Sequence, residues 1–118
     1  LLLWARQAGW LHAKPGKDPD TRQKRFMAAG ITPPLPDVGE GAYLLDAFMK
    51  MKFATTGAMG GLLPQTWTEA AAFASSTGAV TQGWEIQLLF DMSWAYVTEY
   101  NKASSPFMKS PMERPLSG

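Results

Sequence analysis

The sequence predicts an all-α fold: a small bundle of about five helices with a proline-rich connector and an extended C-terminal tail. Three observations predict it. Apolar residues recur at helical spacing in five segments. No segment alternates apolar and polar residues as a half-buried strand does. The breaks between segments fall on proline and glycine, which punctuate helices. The 118 residues fit one domain, read as residues 1–103, with 104–118 as the tail.

Each element has its own reason. Over residues 1–13, Leu3, Trp4, Gln7, Ala8 and Leu11 share one helical face, and Pro15-Gly16 ends the segment. Residues 19–29 form the second helix, with Asp18 as its cap, Pro19 at its first position and Gly30 beyond its end. Pro33, Pro34 and Pro36 then forbid helix and favour an extended connector. The third helix, 40–53, buries a stripe of Tyr43, Leu44, Ala47, Phe48 and Met51, and Lys50 and Lys52 suit its C-terminal dipole. A glycine-bearing loop follows, with Gly60-Gly61 as a hinge. Thr66 and Glu69 make a capping box for the fourth helix, 66–77, which Gly78 stops. The fifth helix, 83–102, is apolar on most sides. Pro106, Pro111 and Pro115 mark a tail that packs weakly on its own.

The fifth helix carries the main functional expectation. Trp84, Leu88, Met92 and Tyr96 are assigned to a stripe that packs on helices 40–53 and 66–77. Ile86, Phe90, Trp94 and Val97 form the opposite stripe, left for a partner or a second copy. Across the chain the aromatic residues Trp4, Trp10, Trp67, Trp84, Trp94, Tyr43 and Tyr96 stand out; aromatics on helices are usually core, and an interface is the main alternative. With five Trp and seven Met in so short a chain, composition itself leans toward association.

Composition also bounds the chemistry. Net charge is +1, so no overall field favours nucleic acid, which is not an expected partner. Residues 1–30 nonetheless hold Arg6, Lys14, Lys17, Arg22, Lys24 and Arg25 against Asp18 and Asp20. That patch reads as a solvated helix face, or as a surface that steers an acidic protein or touches nucleic acid. There is no cysteine and a single histidine, His12, read as a surface side chain at a helix end. Gly57, Gly60 and Gly61 lack the Lys-Ser/Thr of a phosphate loop. Asp46, Glu69, Glu85, Asp91 and Glu99 are scattered. No catalytic residue, metal ligand or cofactor is expected, and the chain reads as a binding protein rather than an enzyme. No run approaches the roughly 20 apolar residues of a membrane span, and no membrane partner is expected.

Several stretches together resemble a known family. They are Gly41-Ala42-Tyr43-Leu44-Leu45-Asp46, Gly57-Ala58-Met59-Gly60, Leu63-Pro64-Gln65-Thr66-Trp67-Thr68-Glu69, Trp84-Glu85 and Met92-Ser93-Trp94-Ala95-Tyr96. The run from Phe26 through Gly30-Ile31 to Pro33-Pro34 belongs with them. Over roughly residues 26–100 the chain resembles the tail assembly chaperones or minor tail proteins of tailed bacteriophages and prophages, encoded between the tail tube and tape measure proteins. Where such proteins often carry arginines in the last helix, this chain has Ile86, Gln87, Phe90 and Trp94, which implies tighter burial or a more permanent partner. The resemblance implies a chaperone that holds the tape measure protein, recruits tail tube subunits and acts in the host cell cytoplasm. The alternative is a structural subunit retained in the virion. In lambda-like phages the corresponding domain is a frameshift extension of another chaperone; a chain opening on Leu1 is compatible with that, or with trimming.

Overall fold

A computed structural model describes residues 1–57, 61–78, 80–103, 105 and 107–114. Along the chain come α1 (Leu2–His12), α2 (Arg22–Ala28), a 3-10 turn (Gly39–Gly41), α3 (Ala42–Met51), β1 (Thr55–Thr56), β2 (Leu62–Leu63), α4 (Trp67–Thr77) and α5 (Gly83–Lys102). The molecule is thus mostly helical. The expectation of helices alone needs one correction: β1 and β2 pair antiparallel, Thr55 with Leu63 and Thr56 with Leu62. Two-residue strands are too short to carry an alternating pattern, and the Gly57 N–H donating to the Gly61 carbonyl at 2.7 Å closes the turn. The expected hinge at Gly60 lies outside the described residues. Among the described residues, no helix is long and apolar enough to cross a membrane.

The centre of the fold is the seam between α1 and α5, which lie together more extensively than any other pair of elements. Helices 40–53 and 66–77 were the expected neighbours of the last helix, but α1 is its main one. Small residues explain this. Ala5, Ala8 and Gly9 are buried on α1, and a Cβ on Gly9 would meet the Tyr96 carbonyl oxygen at 2.4 Å. Only glycine lets the two backbones come this close. Leu11 of α1, Phe48 of α3 and Leu89 and Met92 of α5 are the largest apolar side chains sealed from solvent. Phe53 stacks on Phe48 at 4.7 Å between ring centroids, and the Trp4 ring stands edge-on to both.

Local sequence explains most element ends. Thr66 accepts from the Glu69 N–H at 3.1 Å and caps α4. Gly30, at φ 75°, follows α2, and Gly78, at φ 67°, stops α4. At the start of α2 the reading shifts: Thr21, not Asp18, is the cap, accepting from the Lys24 N–H. The Asp18 carboxylate is committed elsewhere, to the Asp20 N–H and to Arg25. Tyr43, expected in the buried stripe of α3, is about half exposed, its hydroxyl donating to Glu85 Oε2 at 2.7 Å.

Three buried polar side chains tie distant segments together. Ser93 accepts from the Gln65 N–H and donates to the Phe53 carbonyl, both at 2.7 Å, tying the loop after α3 to α5. Gln7 donates to the Pro34 carbonyl at 3.1 Å and accepts from the Met112 N–H at 3.2 Å. Glu99 is paired with Arg6 at 3.1 Å and Arg114 at 2.5 Å.

These bonds correct the view of a weakly packed tail. Its described residues return over α1: the Trp10 indole N–H donates to the Met108 carbonyl, Arg22 to the Ser105 carbonyl, and Ser110 and Pro111 are buried. Polar anchoring of the backbone replaces the apolar anchors that the tail lacks. Residues 104, 106 and 115–118, with Pro106 and Pro115, lie outside the described residues.

Candidate protein-binding surface

α4 and α5 together present an aromatic surface. Ala70 and Ala74 are the buried face of α4, and their small side chains let α4 close on α5. That closure sets Trp67, at the start of α4, beside Phe90, with 6.1 Å between ring centroids. Phe90 in turn meets Trp94, one turn further along α5, at 6.5 Å. Both contacts are edge-on, the geometry aromatic quadrupoles favour. Phe90 is half-buried in the middle, while Trp67 and Trp94 are 43% and 52% exposed. Gln87 and Asp91 lie on the exposed side of the same helix and hydrogen-bond each other at 2.9 Å.

The four residues expected to face a partner are divided by the fold. Phe90 and Trp94 are brought together on the surface. Ile86 is half-buried against α4, beside Ala71, Ala74 and Val80. Val97 is a correction: it is 5% exposed and belongs to the core. The companion stripe needs one too, because Trp84 is 60% exposed and Leu88 only half-buried. Both corrections have one cause. At about 100° per residue, the buried arc of α5 is centred on Leu89, Met92, Ser93 and Tyr96. It therefore runs between the two assigned stripes, taking the inner edge of each. Trp67, one of the aromatics with an interface alternative, was not grouped with the four, because its place beside Phe90 depends on α4 packing on α5.

His12 is a further correction, since it is not a solvated side chain. Its Nδ1 lies 2.6 Å from the Tyr96 hydroxyl, and its ring stacks on Phe53 at 5.6 Å. Burial holds the imidazole below its ordinary value, a hydrogen bond with Gln23 opposing that shift. Burial, with the nearby Tyr100, pushes the Tyr96 phenol up to about 12. A phenol so weakly acidic stays protonated at neutral pH, so the pair links α1 to α5 as a fixed hydrogen bond. Among the described residues, no group of three or more His, Asp or Glu side chains could hold a metal ion.

Comparison with protein-family models, curated proteins and solved structures finds no match for this chain.

Proposed function

We propose that this protein is a bacteriophage tail assembly chaperone that binds the tape measure or tail tube protein during tail morphogenesis, within the host cell cytoplasm. One observation carries the binding part of this reading: Trp67, Phe90 and Trp94 form a joined aromatic surface on two well-anchored helices. Large apolar side chains held in contact at a surface mark interaction sites, and tryptophan is favoured among residues that dominate binding energy. An amphipathic helix laying its apolar stripe across these rings is the mode this surface suits. Tape measure proteins, being long and helical, would supply such stripes. The phage part of the reading rests on the resemblance of residues 26–100.

In this reading the protein is not an enzyme: its single histidine is engaged with Tyr96 and Phe53, and its most buried carboxylate, Glu99, is paired with Arg6 and Arg114. A small bundle docked on its partner is the expected working form, and self-association through the same rings is the competing use of the surface. The second reading, a structural subunit of the virion, is favoured by the apolar α5, which suits a permanent contact. Co-expression with the tape measure protein tests the first reading: the two should co-purify, and the tape measure protein should stay soluble only in the pair. Mass spectrometry of purified particles separates the readings, because a chaperone is absent from them and a structural subunit is present.

A further inference from the structure

A pocket elsewhere on the molecule differs in chemistry from the aromatic surface. It opens between the end of α1 and α2, with a volume of about 390 Å³. Trp10, Pro15, Phe26, Ala29 and Ile31 make its walls apolar, and Arg22 and Arg25 add two cations. The arginines are not equivalent. Arg25 is exposed and paired with Asp18. Arg22 is only 6% exposed, and among the described residues no carboxylate pairs with it. Its guanidinium is held by neutral groups: the Trp10 carbonyl at 3.1 Å, the Ser105 carbonyl at 2.7 Å and the Trp10 ring, 4.8 Å away. Those carbonyls occupy two of a guanidinium's five N–H donors, and the group forms part of the pocket wall.

A buried charge is ordinarily compensated by an opposite one. Here that compensation is missing from the described chain. The surroundings reinforce the sign. Lys14 and Lys17, in the turn after α1, are exposed and make no ion pair among the described residues. From Lys14 to Arg25 the chain carries five cations against Asp18 and Asp20. Ile31 also lines a neighbouring recess, with Met27, Pro33 and Leu35. Apolar surface therefore lies on both sides of Ile31, with the cations at one end.

We propose that this groove binds a partner-protein segment that carries an acidic side chain beside apolar ones. The carboxylate sits against Arg22, and the apolar neighbours lie along Phe26, Ile31 and Met27. The cations of the turn attract the segment, and the groove selects it.

The test uses the full chain and two synthetic peptides, one alternating leucine with glutamate and the other leucine with glutamine. The indole N–H signal of Trp10 reports binding in nuclear magnetic resonance spectra, assigned through Trp10→Phe. The glutamate peptide should shift that signal and bind about tenfold more tightly, or better, than the glutamine peptide. Added salt should narrow the gap. Arg22→Gln should remove the preference. Ala29→Phe, at an exposed position, should fill the groove and abolish binding even if Arg22→Gln fails to fold. Equal affinity for the two peptides overturns the proposal. So does glutamate-peptide binding that shifts Trp94 instead of Trp10, or that survives Ala29→Phe.

Discussion

On its inner side α5 presents Leu89, Met92, Ser93, Tyr96 and Glu99, each meeting a particular partner. Ser93 bridges Gln65 and Phe53, Tyr96 bonds to His12, and Glu99 holds Arg6 and Arg114. On its outer side the same helix presents Trp84 and Trp94 to solvent, with Phe90 half-buried against Trp67. The serine is sealed from water, whereas two of the largest apolar side chains are not. Hydropathy ranks these residues in the opposite order. What decides burial along this helix is fit to α1, whose Gly9 and alanines accept a neighbouring backbone at close range. Among the described residues the outer face has no such neighbour, and Trp84 and Trp94 stay in solvent; in the proposed function a partner covers them.

If that contrast is right, inner-face variants unfold the protein. The largest effect is expected from removing both arginines of the Glu99 clamp. Arg6→Ala with Arg114→Ala leaves a carboxylate only 2% exposed without a partner and should cost about 3–5 kcal/mol, read by denaturant titration. Leu89→Ala, at a fully buried position, should cost about 2–5 kcal/mol. Leu88→Ala, half-buried, should cost clearly less. Equal losses at Leu88 and Leu89 would break the assignment of the buried arc. Gly9→Ala should cost about 3 kcal/mol, because its new methyl meets a backbone carbonyl, which cannot swing aside as a side chain can.

A smaller effect on the inner side of α5 depends on pH. His12 is held below its ordinary value of 6.5 by burial. Above that pH the imidazole is neutral in both the folded and unfolded chains, and its contribution to stability is complete. As pH falls below 6.5 towards the lower folded value, the unfolded chain takes up the proton first and that contribution is lost. Thermal melts of the native protein should therefore fall on acidification through this window. In His12→Asn the same segment of the profile should be flatter.

Much of this fold was legible in the sequence. α4 and α5 lie where Thr66, Gly78 and the apolar spacing put them, since caps and breakers act over a few residues. The facing of α5 was not legible. With apolar residues almost all round, the period points to no single side, and only the position of Gly9 on another helix settles it. Trp67 was legible as one aromatic among several, but its place beside Phe90 depends on how α4 packs on α5. Apart from the Arg114 ion pair to Glu99, the described tail is anchored through backbone carbonyls and N–H groups, which leave no compositional trace; its prolines signalled only irregular structure.

In the proposed function the outer rings of α5 serve binding and not folding. Trp94→Ala separates the two roles when thermal stability and capture of the tape measure protein are measured in the same preparation. Trp94 is half exposed, so stability should stay within about 0.5 kcal/mol of the parent. Capture should weaken by about 2 kcal/mol or more. A variant that melts many degrees lower, or that captures its partner undiminished, would contradict the claim.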